Sequence, residues 1–162
     1  MNPELDQRLH AADRNRYGDD YQGDYLTMYR DFVNSAHGVT TQRGNANKFY
    51  LGVNTALLGS IGYFQLTDGV QIISFAVLGM AICWAWQGTI LSYKTLNGAK
   101  FQVIQAMEQK LPLAPFTAEE YAYSNASTKH IIQSRWEAKA PLFFAALHGV
   151  LGVFNAFRIY WP

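Results

Sequence analysis

The sequence has a single cysteine, Cys83, and almost no net charge, which is +1 over 162 residues. One cysteine cannot form an intrachain disulfide, so cysteine content leaves the redox environment open. A general nucleic-acid-binding protein needs a basic face that neutralises phosphates. We therefore expect no nucleic-acid partner.

Catalytic and metal-binding signatures are also missing from the sequence. It contains no Gly-rich phosphate loop, no paired-cysteine motif, no His-Glu-x-x-His and no Gly-x-Ser-x-Gly. The first 48 residues are polar and lack the apolar core of a cleavable signal peptide. We expect no enzyme activity, no metal and no cofactor, and membrane insertion through the segment that begins at Phe49.

Charged residues are absent from two long stretches, Phe49–Leu66 and Val70–Tyr93, which a three-residue break joins. In a helix, about 18 and 24 residues are long enough to cross a hydrocarbon layer of about 30 Å. So short a connection predicts an antiparallel transmembrane hairpin over 49–93. A third apolar run over 140–162 predicts a third crossing, although His148 would also suit a helix lying in the membrane surface.

The polar segments predict helices outside the membrane. Residues 1–48 form an N-terminal segment with an amphipathic helix over about 20–36, which we expect to end at His37. Helical spacing continues after the second apolar stretch, so one helix is expected to run from Val70 to Lys110. The fold class predicted is an all-α integral membrane bundle with three transmembrane helices, the second extended into the cytosol, and a collar of cytosolic helices.

The region 94–139 is expected to supply the rest of this collar. Thr117-Ala-Glu-Glu120 has the form of a capping box, which predicts a helix running from Thr117 toward Lys139, either unbroken or with a break near Ser124–Ser127. Basic residues flank the crossings on the side that holds the N-terminus, at Arg43, Lys48, Lys94, Lys100, Arg135 and Lys139. The positive-inside tendency therefore places the N-terminus in the cytoplasm and the C-terminus outside.

Tyrosines recur at four-residue steps on the predicted amphipathic helix, at Tyr21, Tyr25 and Tyr29. Such a stripe forms one face of a helix. It predicts packing against other helices of the same protein or, as the alternative, docking of a cytosolic protein partner.

Polar residues inside the predicted crossings form a candidate site. Asn54, Gln87 and His148 lie at similar depths, about 8 to 12 Å from the cytoplasmic helix ends. Polar groups in hydrocarbon seek one another or water, and ionisable ones are candidates for function. We expect either interhelical hydrogen bonds that lock the bundle, or a polar pore lining with a proton-sensitive His148.

Small residues recur at four-residue steps in the first crossing, at Gly52, Ala56 and Ser60. This spacing places three small side chains on one helix face, where a second helix can approach closely. The neighbour is either another helix of the same chain or a helix of a second subunit.

Two blocks of sequence resemble a known family. The first is Arg43-Gly-Asn-Ala-Asn-Lys-Phe-Tyr50, followed by Asn54-Thr-Ala-Leu-Leu58. The second is Ser92-Tyr-Lys-Thr-Leu-Asn-Gly-Ala-Lys-Phe-Gln-Val-Ile104, followed by Glu108, Leu111-Pro112 and Pro115-Phe116. Over about residues 25–160 the chain resembles the RipA family of octameric membrane proteins.

The resemblance implies a multi-pass protein of the bacterial cytoplasmic (inner) membrane that forms a ring-like homo-oligomer, an octamer, with no established reaction. It also places Asn97, Lys100, Phe101 and Glu108 on the cytosolic collar, where they contact neighbouring subunits or their own chain. The first functional hypothesis is a non-enzymatic scaffold or sensor in stress physiology. The alternatives are a pore-forming or membrane-perturbing effector of a phage-defence system, and a small ion or proton pathway.

Overall fold

The computed structural model describes residues 3–10, 14–125 and 139–161, in which all regular secondary structure is α-helical. The helices are α1 (Pro3–Leu9), α2 (Arg14–Tyr17), α3 (Tyr21–Tyr63), α4 (Gly69–Glu108), α5 (Pro115–Ser124) and α6 (Ala140–Tyr160). The predicted all-α class is confirmed. The predicted continuation of the helix after Ser124 toward Lys139 crosses residues 126–138, which lie outside the described residues.

Helix α3 runs through the position at which the sequence predicts an end. The expected end at His37 is wrong, and the helix predicted over about 20–36 is only the first part of a 43-residue helix. One glycine, here Gly38, costs about 1 kcal/mol relative to alanine inside a helix. Burial of the flanking Ala36 and Val39 offsets this cost, and α3 contains no proline.

The turn between α3 and α4 is closed by local hydrogen bonds. Leu66 N donates to Ile61 O and Gln65 N donates to Gly62 O, the pattern of a Schellman motif. Gln65 takes the left-handed conformation this motif requires, with φ 49°. Asp68 Oδ1 then accepts a hydrogen bond from Val70 N at 2.8 Å and caps α4. The predicted long helix from Val70 to Lys110 is thus observed as Gly69–Glu108.

The chain divides into two compact units, and α3 and α4 each contribute one part to both. The polar unit consists of Met1–Thr41 and Tyr93–His130, and the apolar unit consists of Gln42–Ser92 and Ile131–Pro162. Each unit has its own buried residues. The polar unit buries Tyr25, Ala36, Val39, Ile104, Ala106 and Met107, and the apolar unit buries Ile72, Ala76, Cys83, Trp86 and Ile90.

Glycines set the close packing of α4 against α6 in the apolar unit. A Cβ atom added at Gly152 would lie 3.3 Å from Ala76 Cβ, and one at Gly69 would lie 2.9 Å from the side chain of Ile159. The two contacts have the reversed order expected of antiparallel helices. Small residues allow helix backbones to approach in this way, which is the common packing mode inside membranes.

Two polar side chains of α6, His148 and Asn155, are buried, whereas most of its large apolar side chains are exposed. The buried residues are Pro141, His148 and Asn155. The large exposed apolar residues are Leu142, Phe143, Leu147, Val150, Val153, Phe154, Phe157 and Ile159. This is the reverse of the arrangement in water-soluble proteins, which place apolar side chains inside.

Two of the described helices, α4 and α6, are long and apolar enough to cross a membrane. Only 28% and 17% of their most apolar stretches are buried within the chain, so neither is the enclosed core helix of a soluble protein. The stretch 49–66, which the sequence predicts as the first crossing, forms the end of α3 and the turn after it. α3 is not one of the two, because polar and small residues such as Asn54 and Gly52 lower its hydropathy.

Candidate functional site

A buried polar cluster joins the three helices of the apolar unit. It consists of Asn54 on α3, Cys83 on α4 and His148 on α6, which are 0%, 2% and 0% exposed. Cys83 Sγ donates to Asn54 Oδ1 at 3.2 Å, and His148 Nε2 lies 3.1 Å from the same oxygen. One amide oxygen therefore links all three helices.

The hydrogen-bond network determines which histidine nitrogen carries the proton. Asn54 Nδ2 donates to Tyr50 O at 2.9 Å, and this bond orients the amide with Oδ1 toward His148. An amide oxygen only accepts hydrogen bonds, so His148 donates from Nε2. Among the described residues, His148 Nδ1 has no hydrogen-bond partner. The arrangement follows from satisfying the network, as histidine tautomers generally do.

The imidazole of His148 packs directly against the backbone of α4 at Gly79. A Cβ atom at that position would lie 2.3 to 2.4 Å from three atoms of the ring. Real Cβ atoms do not approach other atoms so closely, so the ring occupies a space that only glycine leaves open. Gly79 thereby sets the register in which α6 presents His148 to Asn54.

The structure brings together two of the three residues in the predicted intramembrane cluster. Asn54 and His148 are bonded, whereas Gln87 is half-buried and makes no hydrogen bond to them. Gln87 Oε1 has no partner within the described part of the chain. Sequence reasoning missed Cys83, which lies four residues before Gln87 on the same helix face, because the sequence does not reveal which of the two meets Asn54.

A second contact joins α3 to α4 about one turn from the cluster. The ring of Tyr50 stacks on Trp86, with centroids 5.9 Å apart. Trp86 Nε1 donates to Asn47 Oδ1 at 2.9 Å, which satisfies the indole of a side chain that is only 2% exposed. Together with the cluster, this contact fixes the antiparallel register of the two helices.

The small-residue face of α3 is left open at Gly52 by the described residues. Gly52 and Ala56 are exposed, and a Cβ atom at Gly52 would meet nothing within 4 Å. Ser60 is half-buried and donates to Leu57 O of its own helix at 2.7 Å. The sequence allows a helix of the same chain or a helix of a second subunit as the neighbour of this face. No described helix of the same chain contacts it at Gly52.

In the polar unit, the carboxylate of Glu108 caps the N-terminus of α5. It accepts hydrogen bonds from Phe116 N at 2.8 Å, Thr117 N at 2.9 Å and Thr117 Oγ1 at 2.7 Å. Tyr29 Oη also donates to it, at 3.1 Å. Burial would raise the pKa of Glu108, but these donors outweigh burial and hold the pKa below its ordinary value.

The capping box predicted at Thr117 is not formed. α5 begins at Pro115, and its N-cap residue Ala114 makes no side-chain capping bond. The hydroxyl of Thr117 donates to Glu108 instead, and Glu120 accepts a hydrogen bond from Gln105. A buried carboxylate on another helix satisfies the free amides of α5 better than an exposed local hydroxyl does.

The other predicted collar residues also contact their own chain. Lys100 Nζ donates to Ser35 Oγ at 2.7 Å and lies 4.7 Å from the centre of the Phe32 ring. Phe101 packs edge-on against Phe116, with centroids 5.7 Å apart. Asn97 is half-buried, and its Oδ1 has no partner among the described residues.

Two of the three tyrosines in the predicted stripe are likewise used inside the polar unit. Tyr25 is buried and donates to Met107 O at 2.6 Å, and Tyr29 binds Glu108. Burial raises the pKa of both Tyr25 and Tyr29 to about 12. Tyr21 is half-buried and stacks on Tyr25 at 5.9 Å. Packing within the chain therefore accounts for most of the stripe.

The shared oxygen of Asn54 makes the effects of cluster substitutions non-additive. We expect Asn54→Leu and His148→Ala, combined, to destabilise the detergent-solubilised protein by about 1 kcal/mol less than the sum of the single changes. Thermal unfolding of the four proteins in a double-mutant cycle measures this coupling.

Asn155→Leu is the matched control, because Asn155 is buried on α6 but bonds only to Leu151 O of its own helix, at 2.9 Å. Its effect should add to that of Asn54→Leu. Equal coupling in the two cycles would contradict a specific bond between Asn54 and His148.

A sequence model of the octameric membrane protein family (8xMP) matches residues 26–157 of this chain. No curated protein and no solved structure matches it. The resemblance to octameric membrane proteins is confirmed at the level of this family, and the narrower RipA name stays a prediction.

Proposed function

Because this chain belongs to the octameric membrane protein family, we propose that it is a non-enzymatic homo-octamer of the bacterial cytoplasmic membrane that acts as a scaffold or sensor in stress physiology. The observation that carries the proposal is the reversed burial of the apolar unit. Its polar residues Asn54 and His148 are enclosed, while Leu51, Trp84 and Phe154 are exposed. A lipid environment makes this arrangement favourable, and water does not.

The same observation supports three crossings rather than two. The last part of α3 follows the pattern of α4 and α6, with Asn54 buried and Phe49 exposed. Its bond to His148 would lie in hydrocarbon, where the Asn54 amide has partners for both its oxygen and its nitrogen, as a membrane-spanning polar residue needs. With the basic residues on one side, the polar unit lies in the cytoplasm and the chain ends outside.

The open small-residue face of α3 supports the assignment of a subunit contact. Side chains of the same chain fill the space beside the α-carbons of Gly69, Gly79 and Gly152. None of the described residues fills the corresponding space at Gly52 or Gly59. In a ring, each subunit offers one face to each of two neighbours. We assign the face of Gly52 and Ala56 to one of these contacts.

A scaffold is favoured over a pore because the polar cluster is enclosed within one subunit. Asn54 Oδ1 is fully used by Cys83 and His148, so the cluster acts as a lock between helices. A pore or proton pathway would draw on Gln87, the half-buried polar residue of α4 whose Oε1 has no partner among the described residues. Because of Gln87, a pore-forming effector and an ion pathway are the second candidate functions.

Ion flux from liposomes that contain the purified protein separates these functions. A scaffold gives no leakage above protein-free liposomes under any condition tried. Leakage that is lost in Gln87→Leu or His148→Ala would contradict the scaffold and establish a pore.

The subunit contact predicts that Gly52→Leu breaks the assembly. A leucine on a closely packed face separates the helices, so we expect the mass of the detergent-solubilised complex to fall from eight subunits to smaller species. Light scattering coupled to size exclusion measures this mass.

Gly88→Leu on α4 is the matched control, since a Cβ atom there also meets nothing within 4 Å. It should leave the mass unchanged. A wild-type monomer would overturn the octamer, and equal dissociation by both variants would overturn the assignment of the contact to α3.

A further inference from the structure

The polar unit contains two cavities that share a wall. One, of about 210 Å³, is lined by Leu9, His10, Tyr17, Tyr21, Tyr25, Met28 and Met107. The other, of about 400 Å³, is lined by Arg14, Tyr21, Gln22, Tyr25, Leu26, Lys110, Leu111 and Pro112. Tyr21 and Tyr25 line both, so the two cavities are adjacent, and we refer to them together as the groove. The larger volume lies in the usual range of small-molecule sites, roughly 300 to 1,000 Å³.

The shared wall consists of parallel aromatic rings. Tyr21 stacks on Tyr25 with an interplanar angle of 27°. His10 also stacks on Tyr25, with ring centroids 6.1 Å apart. Tyr25 is held in place by its hydrogen bond to Met107 O. Tyr21 is half-buried beside the groove. A stack of this kind, fixed at one end and open at the other, suits a planar ring.

The larger cavity is basic. Its described lining includes Arg14 and Lys110 and no acidic residue. Neither cation forms an ion pair with any described residue. Two acidic groups near the aromatic wall have partners of their own: Asp24 accepts a hydrogen bond from Tyr17 Oη at 2.7 Å, and Asp6 Oδ1 lies 3.3 Å from His10 Nε2.

The positive charge of Lys110 acts electrostatically on His10, which stacks on this wall. Burial lowers the pKa of His10, and the nearby Lys110 lowers it further, against the opposing effect of Asp6. Tyr21, Arg14 and Lys110 also line the same larger cavity, so its aromatic and basic parts can contact one ligand.

We propose that this groove binds a small planar aromatic anion of the nucleoside monophosphate type. The ring would stack beside Tyr21, and the phosphate would pair with Arg14 and Lys110. Guanidinium and ammonium groups are the usual phosphate ligands in proteins. Arg14, Tyr21 and Tyr25 precede the family match, which begins at residue 26, whereas Lys110 lies within it.

The biological role of this ligand rests on the proposed sensor function, whereas the argument that the groove binds it does not. Binding is tested on the full-length protein in detergent by isothermal titration calorimetry with adenosine 5′-monophosphate. Adenosine, which lacks the charge, and inorganic phosphate, which lacks the ring, are separate arms. We expect both to bind at least about tenfold more weakly than the nucleotide, a loss of about 1.4 kcal/mol each.

Variants identify the site. Lys110→Gln and Tyr21→Leu should each weaken nucleotide binding at least about fivefold, because each removes one of the two recognition elements. Arg30→Gln and Tyr123→Leu are matched controls, since both residues are exposed and neither lines the groove. They should leave the affinity unchanged. Circular dichroism checks that each variant is folded, and Lys110→Gln on the cavity rim provides the result if Tyr21→Leu unfolds.

Three results would overturn the proposal: no heat of binding with the nucleotide, equal affinity for adenosine, or equal loss in the control variants. The mass of the complex is measured in the same samples. An octamer that does not bind overturns only the ligand site, and a binding protein that is not an octamer overturns only the proposed assembly.

Discussion

Gly79→Ala is expected to destabilise the apolar unit by about 2 to 4 kcal/mol. The new methyl group would lie 2.3 to 2.4 Å from the ring of His148, so the ring must leave its place against α4. Overpacking of a tight contact costs about 1 to 3 kcal/mol, and loss of the hydrogen bond to Asn54 adds about 1 kcal/mol. The measurement is the thermal unfolding midpoint in detergent.

Gly88→Ala is the matched control in the same helix. A Cβ atom there meets nothing within 4 Å, so alanine should be neutral or should stabilise by up to about 1 kcal/mol through helix propensity. Combining Gly79→Ala with His148→Ala removes the group with which the methyl clashes. The double variant should therefore lose much less than the sum of the two single losses. Equal destabilisation at residues 79 and 88, or full additivity with His148→Ala, would refute the packing argument.

Composition and spacing were sufficient to predict one of the two long helices. The second long helix was predicted almost to the residue, because the apolar stretch passes into an amphipathic one without a proline. The end expected at His37 was wrong for a physical reason. A His-Gly pair is a weak helix breaker, and burial of Ala36 and Val39 against other parts of the chain decides the outcome.

The composition of the polar cluster depended on register, which the sequence does not reveal. Asn54 and His148 stand out because polar residues are rare in apolar helices. Cys83 does not stand out, since a thiol is common among apolar side chains. Whether Gln87 or Cys83 faces Asn54 depends on how far α4 slides along α3, and Trp86 and Gly79 fix that position through contacts between helices.

Long-range capping was beyond local sequence rules for a related reason. The Thr117 capping box was inferred from a three-residue spacing, but the acceptor used is Glu108, which lies in another helix. The Pro112 and Pro115 turn folds the chain back so that the carboxylate meets the first amides of α5. The local capping box therefore does not form, because the buried carboxylate of Glu108 is the stronger acceptor.

Glu108→Gln is expected to release α5 and to lower the free energy of unfolding of the polar unit by about 2 to 3 kcal/mol at neutral pH. Each carboxylate oxygen accepts two hydrogen bonds, from Phe116 N and Tyr29 Oη on one side and from the amide and hydroxyl of Thr117 on the other. Glutamine replaces one oxygen with a donor, so the bond from the backbone amide on that side is lost and two buried donors face each other, while the hydroxyl partner must turn to accept. The charge that strengthened all four bonds is also lost. Amide hydrogen exchange of α5 measures the release directly.

Glu119→Gln is the matched control, because Glu119 is an exposed acid near the start of the same helix. It should change the exchange of α5 little. Comparable acceleration in both variants would show that charge near the helix start, rather than the bonds to Glu108, holds α5 in place.

The pH dependence of the Glu108→Gln effect follows from the sign of the pKa shift. Burial works against ionisation, but the hydrogen bonds hold the pKa of Glu108 below its ordinary value near 4.5 in the folded protein. Its stabilising contribution is therefore complete above pH 4.5 and is lost as the pH falls through the lowered folded value. The difference in α5 protection between wild type and Glu108→Gln should be constant from pH 8 to about 5 and should shrink in more acidic solution. A difference that grows on acidification would mean that the protonated form makes the cap.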